Sequence, residues 1–247
     1  MPDTFIPLSE VEWVEQLVCD RYKVKIPKFL ADYHAWWPWW EKMRFASMEE
    51  NLKRGDILFD VGAEIGWISA IYAQFVGAEN MCLFEPCVEL WPSLMETWRA
   101  NELQTPKCCT KAFLAHSEQP GIITIHHGSW PKEAKAGKIL TNTKFRHINE
   151  DGKDIPRLTL DGFVSLTGYR PNAITIDVEG AELMVLRGAE KTMREIRPLV
   201  WVSIHEDAVI ERYQQNPKDI YALMESLGYD GTNLGFDHEA HWLYRPR

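Results

Sequence analysis

The sequence contains no C-x-x-C pair. Its five cysteines, Cys19, Cys82, Cys87, Cys108 and Cys109, are odd in number and lack the clustering of a zinc site or a disulfide framework. Free thiols in a reducing compartment are expected. The opening residues, MPDTFIPLSE, have no basic stretch followed by an apolar run, so no signal peptide is expected. No stretch approaches the roughly 18 uninterrupted apolar residues of a membrane helix, so no membrane partner is expected and the cytoplasm is the expected address. Internal repeats and low-complexity tracts are absent. Positive charge is also short: 27 Lys and Arg face 36 Asp and Glu, a formal net charge of -9. An acidic surface repels phosphate backbones, so a general nucleic-acid partner is disfavoured, although a local basic patch is not.

What remains is ordinary globular material: 247 residues, 45% hydrophobic and 26% charged, enough for one compact α/β domain. Residues 1–50 read as an N-terminal helical extension. Ser9 and Glu12 have capping-box spacing, and Val11, Val14, Val18 and Tyr22 follow at helical period. An aromatic cluster follows, Trp36-Trp37-Pro38-Trp39-Trp40. Ser47 and Glu50 repeat the capping spacing and lead toward a turn at Gly55-Asp56.

From residue 51 to 247 the rhythm is strand, glycine turn, helix. Apolar runs at Ile57–Val61, Met81–Phe84, Ala173–Val178 and Pro198–Ile204 alternate with amphipathic faces. These faces are Ile68, Ile71, Tyr72 and Phe75; then Trp91, Leu94, Met95 and Trp98; then Leu183, Leu186, Ala189 and Met193. Such alternation implies βαβ units and a doubly wound, mostly parallel sheet. Cys108–Leu114 reads as a third strand and Gly121–His126 as an added, partly exposed one. Tyr221–Leu227 reads as a helix ended by Gly228, and Trp242–Tyr244 as an antiparallel edge strand. Residues 127–157 read as an inserted loop. Its seven cations, Lys132, Lys135, Lys138, Lys144, Arg146, Lys153 and Arg157, face four acids, Glu133, Glu150, Asp151 and Asp154. Such a loop either is simply solvated or holds an anionic acceptor through phosphate contacts.

Three motifs carry chemistry. The first, Asp60-Val61-Gly62-Ala63-Glu64-Ile65-Gly66, sits between a strand and a helix, where glycine permits a tight turn and close approach of a ligand. It lacks the G-x-G-x-x-G of a dinucleotide site, which argues against a nicotinamide-dependent oxidoreductase. The second is Glu85, closing the next strand, where a carboxylate can accept both hydroxyls of a ribose. The third joins Thr159-Leu160-Asp161 to Ile176-Asp177-Val178-Glu179-Gly180-Ala181-Glu182. Asp177 ends a strand and faces the same crevice. Glu179 and Glu182 stand where a helix begins, and either complement its dipole or serve the site.

Taken together, KRGDILFDVGAEIGWIS, CLFEP with Asn101 beyond it, RLTLDGFV, ITIDVEGAELMVLRGA and RPLVWVSIHE resemble, in order and spacing, the FkbM family of methyltransferases over roughly residues 50 to 207. The resemblance implies a class I methyltransferase fold, Rossmann-like, with an antiparallel edge strand. It implies S-adenosylmethionine as methyl donor, and O-methylation of a sugar, glycan or natural-product hydroxyl. The donor would rest on Asp60, Val61, Gly62, Ala63, Glu64, Gly66, Trp67, Glu85, Pro86 and Asp177. Two departures stand out. Glu64 replaces the Asn usual in the turn, and Ser203 stands where the family often has Glu.

A hydroxyl acceptor must lose a proton, which calls for a base. His205, at the end of a strand and with a reference pKa near 6.5, suits that role, with Asp177 and Asp207 as alternatives. Asp177, Glu206 and Asp207 offer oxygen ligands, but their spacing demands no metal, and none is expected. The tryptophan run is read as a hydrophobic plug, an acceptor subsite or a homodimer contact. A catalytically silent scaffolding protein is the competing reading of the whole chain, kept open by Glu64.

Overall fold

The computed structural model describes residues 5–31, 37–118, 123–140 and 156–247. The Ser9–Glu12 helix is corrected. Phe5–Pro7 (β1) is a short strand, and Trp13–Val18 (β2) and Tyr22–Pro27 (β3) form an antiparallel hairpin with Val18 opposite Tyr22. Val14 and Val18, and Tyr22, Val24 and Ile26, alternate as well as they repeat at helical spacing. The β-branched content and a tight turn settle the choice. Cys19 and Asp20 both take positive φ, 52° and 55°, and Arg21 N closes the turn on Val18 O at 3.0 Å. After the short helix Lys28–Ala31 (α1), Lys42–Asn51 (α2) is a true helix. Ser47 lies inside it rather than capping it, and Ser47 Oγ accepts from Trp201 Nε1 at 3.1 Å.

Then come Leu58–Val61 (β4), Trp67–Val76 (α3), Met81–Phe84 (β5), Trp91–Ala100 (α4), Cys108–Thr110 (β6), Phe113–Leu114 (β7), Ile125–His127 (β8) and Lys138–Leu140 (β9). The stretch read as an inserted loop thus includes β9, which pairs with β1. Lys144, Arg146, Lys153 and the acids Glu150, Asp151 and Asp154 lie outside the described residues, as does Trp36. Arg157–Leu158 (β10) precedes Leu160–Thr167 (α5) and Ala173–Ile176 (β11). The single helix expected next is two, Glu182–Arg187 (α6) and Glu190–Glu195 (α7), broken around Gly188. A Cβ on Gly188 would meet the Ala115 carbonyl at 2.0 Å. Leu199–Ile204 (β12), Glu206–Glu211 (α8), Lys218–Ser226 (α9), Tyr229–Phe236 (β13) and Ala240–Pro246 (β14) complete the chain.

The main sheet runs β13-β14-β12-β11-β4-β5-β6-β8. Its five central strands are parallel, and β14 and β8 run antiparallel to their inner neighbours. β4, β5 and β11 are buried along their whole length, as parallel strands covered on both faces must be. The segment around Trp242–Tyr244 is antiparallel as expected, but it is not the edge. β13 pairs outside it, and that mostly exposed strand went unread because Gly231, Asn233 and Gly235 look like turn formers.

One core lies between the sheet and α2, α3, α4 and the β2–β3 hairpin, including Phe45, Ile71, Trp91 and Trp98. The N-terminal segment therefore shares its core with the sheet. The other core packs Phe163, Leu183, Leu186, Met193, Ile220 and Met224 against the opposite face. Thr159 caps α5, its Oγ1 accepting from Gly162 N at 2.9 Å. Asp161 reaches across to accept from Lys191 N and Thr192 N at 2.9 and 2.7 Å. Thr159 and Asp161 therefore build helix ends rather than the site. Asn101 also has a structural part, tying α4 to the hairpin through Lys25 N and Lys25 O.

Candidate active site

The chain proceeds outward from β4 through β5 to β6, and later adds β11 and β12 on the other side of β4. The order reverses between β4 and β11, and their carboxyl ends open the crevice where ligands sit in such sheets.

The first wall follows β4 and β5. Asp60 is buried. Burial raises its carboxyl to about 7, against a hydrogen bond with Ser69 and the charge of Arg44. Its Oδ2 has no hydrogen-bond partner among the described residues. Gly62 N and Ala63 N donate to Phe84 O at 3.0 and 3.1 Å, folding the glycine turn over the end of β5. A Cβ on Gly62, at φ +96°, would stand 1.8 Å from the Asp177 carbonyl oxygen. This corrects the expected reason for that glycine: the chain's own backbone, not a ligand, takes the space. Gly66, at φ +83°, likewise meets Leu94 of α4 at 3.1 Å. Val61 and Ala63 bury their side chains. Trp67 packs edge-on against Trp37 and Trp40, with ring centroids at 5.0 and 6.3 Å. Two of the tryptophans thus belong to the packing around Trp67, whereas Trp39 is 60% exposed.

Glu85 follows β5, with Pro86 half-buried beside it. Its Oε2 accepts from Glu64 N at 3.0 Å and its Oε1 from Cys87 N at 2.7 Å. Each oxygen keeps a further lone pair. Burial pushes its carboxyl to about 7, although both backbone bonds favour the ionised form. Glu64, at φ 47°, is half-buried. Desolvation and the neighbouring Glu85, Asp177 and Glu179 raise it to about 8. The spare lone pairs of Glu85 and the orphaned Asp60 Oδ2 fit a nucleoside ligand rich in hydroxyl donors.

The second wall follows β11 and β12 and draws on residues that the motifs did not reveal. Arg44 of α2 is buried beneath it. Arg44 donates through Nη1 to Glu41 Oε2 at 2.9 Å, Asp177 Oδ2 at 3.0 Å and Ser203 Oγ at 2.6 Å, and through Nη2 to Thr175 Oγ1. Burial would raise the Asp177 carboxyl, but the charges of Arg44 and His205 hold it below the usual carboxylate range. Ser203, standing where an acid was missing, bonds His241 Nδ1 at 3.0 Å. His241 Nε2 in turn meets Asp237 Oδ1 at 2.9 Å.

His205 stands at the crevice, with both ring nitrogens against carboxylates. Nδ1 meets Glu182 Oε1 at 2.8 Å, and Nε2 contacts Glu239 Oε2, with Glu179 and Asp177 at 3.6 and 3.8 Å. Burial opposes the imidazolium, yet the bonds to Glu182 and Glu239 outweigh it and push the pKa up to about 12. Held so, the ring has both nitrogens engaged by carboxylates. Asp207 and Glu206 are exposed in the first turn of α8 and stand outside the cluster. Glu179 is half-buried at the crevice, and burial raises it to about 7. Glu182 is fully buried, so it is more than a dipole-complementing acid. Asp237-His238-Glu239, three titratable residues in one hairpin turn, was the readable signal for that part of the wall. Arg44 gave none.

The family model of the methyltransferase FkbM domain matches residues 60–230, well over half of the chain. Hexuronic acid methyltransferase AglP of Haloferax volcanii is 25% identical over 193 residues, covering 77% of this chain and 71% of that protein. Methyltransferase FkbM from Methylobacillus flagellatus KT aligns over 83% of this chain at 15% identity and a TM-score of 0.47. The chain spans about half of that protein, 51%. A proposed rRNA methylase from Clostridium thermocellum aligns over 82% of this chain and 92% of its own at 11% identity, with a TM-score of 0.50, a likeness of fold. That likeness gives the class I methyltransferase fold, and a match running from Asp60 at the glycine turn through Glu85, Asp177 and His205 places the chain in the FkbM methyltransferase family.

Proposed function

We propose that the chain transfers a methyl group from S-adenosylmethionine to a hydroxyl of a sugar or glycan acceptor, with a hexuronic acid as the leading candidate. The observation that carries the donor half is the pair of buried acids at the ends of β4 and β5. Glu85 is pinned by two backbone N–H groups yet keeps acceptor capacity, and Asp60 Oδ2 is left without a partner among the described residues. Glu85 would take the ribose hydroxyls, and the turn Asp60–Gly66 would hold the rest of the donor. Bound there, S-adenosylmethionine supplies an electrophilic methyl carbon whose leaving group is a neutral thioether. The protein's share is alignment of the acceptor oxygen with that carbon.

The acceptor half rests on the second wall. As the O–C bond forms, the hydroxyl proton must leave. The carboxylates of Asp177 and Glu179 face the crevice beside His205, whose ring is engaged by Glu182 and Glu239. The acceptor class rests on the Haloferax relative. The net charge of -9 favours a small molecule or glycan over nucleic acid. No described helix is long and apolar enough to cross a membrane.

Calorimetric titration with S-adenosylmethionine and S-adenosylhomocysteine, with Glu85→Ala as control, tests the donor half. Saturable binding lost in the control is expected, and no binding to a folded protein refutes it. Methyl transfer to hexuronic acid glycosides, read with labelled donor, tests the acceptor half.

A further inference from the structure

We propose that Asp177, Glu179, His205 and Glu239 form a site for one divalent first-row transition-metal ion of the Mn2+ type. The topology brings them together. Asp177 and His205 each follow the last residue of a parallel strand, β11 and β12. Ile204 of β12 pairs with Ala240 of β14, so the next residues outward, His205 and Glu239, stand opposite each other.

Oxygen or nitrogen atoms of Asp177, Glu179 and His205 all lie within 4.8 Å of one another, as do oxygens of Glu41, Asp177 and Glu239. The two sets share Asp177. That residue spends Oδ2 on Arg44 and turns Oδ1 toward His205 Nε2 at 3.8 Å. Glu239 belongs to the second set and meets the first through His205, whose Nε2 its Oε2 contacts.

Two further observations separate this cluster from ordinary surface acids. Glu239 is 2% exposed, and its Oε1 finds no hydrogen-bond donor among the described residues. A buried carboxylate oxygen without a partner is costly, and a cation would relieve it. His205 is also oriented as a metal-binding imidazole is. The fully buried Glu182 holds Nδ1 at 2.8 Å and leaves Nε2 facing the three carboxylates, the carboxylate–histidine arrangement that fixes a ligand ring. His238 Nε2, at 3.2 Å from Glu239 Oε2, closes the outer side. Entry is open where Glu179 and Asp177 are 35% and 24% exposed.

Three carboxylates and one imidazole suit Mn2+, which favours carboxylates, or the borderline Co2+ and Zn2+, which favour imidazole, better than Mg2+, which favours oxygen alone. A bound ion would replace the imidazolium proton as the positive charge at the centre. Its open positions would take an acceptor hydroxyl and lower its pKa. That last role rests on the methyl-transfer reading, whereas the binding does not.

The test uses the full chain, stripped with chelator and titrated with MnCl2 alone, with free Mn2+ followed by electron paramagnetic resonance. One ion bound per chain is expected. Glu239→Gln and His205→Gln should each weaken binding at least about tenfold, and Glu182→Gln, which keeps every ligand but frees the ring, by about tenfold. Glu206→Gln, an exposed acid outside the cluster, should change nothing. Free Mn2+ undepleted at millimolar metal, or equal binding in Glu239→Gln and His205→Gln, overturns the proposal. Should the ligand variants fail to fold, the parent protein decides. Bound Mn2+ should show coupling to an imidazole nitrogen, and its absence overturns the site. No donor or acceptor is present, so failure here leaves the methyl-transfer reading standing, and failure of donor binding leaves this one standing.

Discussion

Replacing Arg44 by Met should be among the most damaging single changes outside the sheet. The guanidinium is 1% exposed and holds Glu41 and Asp177 by direct ion pairs, with Ser203, Thr175 and the Tyr72 ring around it. Methionine fills most of the space but leaves Glu41, 2% exposed, as a buried acid with no cation in contact. Removing one partner of a buried pair costs about 3–5 kcal/mol, because the other charge is left uncompensated. For a domain of this size each kcal/mol lowers Tm by about 2–4 °C, so a fall of about 10 °C is expected. Adding Glu41→Gln removes the stranded acid and should return about 2 kcal/mol, a coupling that a double-mutant cycle at pH 7 reads directly. Thermal and urea unfolding of the parent, the two single variants and the double variant supply the cycle. A loss below about 1 kcal/mol in Arg44→Met, or strictly additive losses, would refute the idea that this ion pair is desolvated and mutually dependent.

Glu64→Gln should leave stability unchanged near pH 3. There Glu64 is protonated in both the folded and unfolded chains. A carboxyl raised on folding to about 8 gains stability below its unfolded pKa and loses it as pH rises to 8, so the variant should be more stable by about 1–2 kcal/mol at pH 9. An equal Tm difference at both pH values would contradict that shift. Gly62→Ala should cost more than about 3 kcal/mol, given the 1.8 Å approach to the Asp177 carbonyl. Gly128→Ala, at φ +54° with nothing within 4 Å, should cost about 1 kcal/mol, and melting curves compare them. Thr159→Ala should cost about 1 kcal/mol through the lost α5 cap while leaving donor binding intact, as calorimetry can show.

The parallel heart of the fold was legible because each piece of it is local. The continuous apolar runs ending in Asp60, Glu85 and Asp177 are strands, and all four residues of the Trp91–Trp98 face are buried. The N-terminal hairpin was misread because spacings of three and four fit both a helix and alternating positions two apart. The turn that decides between them uses Cys19 and Asp20 rather than glycine. The order of the last two strands was illegible for another reason. Period-two patterning identifies a face, not a neighbour, and β13 is held in the sheet by β14 rather than by its own propensity. The donor wall comes from one sequence motif and could be read. The other wall depends on Arg44 meeting Asp177 across 133 positions, a pairing that only the folded chain displays.

That long reach sets the two walls apart in how they are built. Asp60 and Glu85 belong to neighbouring parallel strands joined by α3, so the first wall is built from contacts close in the chain. The second wall needs Glu41 and Arg44 from the beginning and Glu239 and His241 from near the end, joined by Glu41 N donating to Asp237 Oδ2 at 2.8 Å. The crevice is therefore closed only when the hairpin of β13 and β14 docks over the helix that carries Arg44.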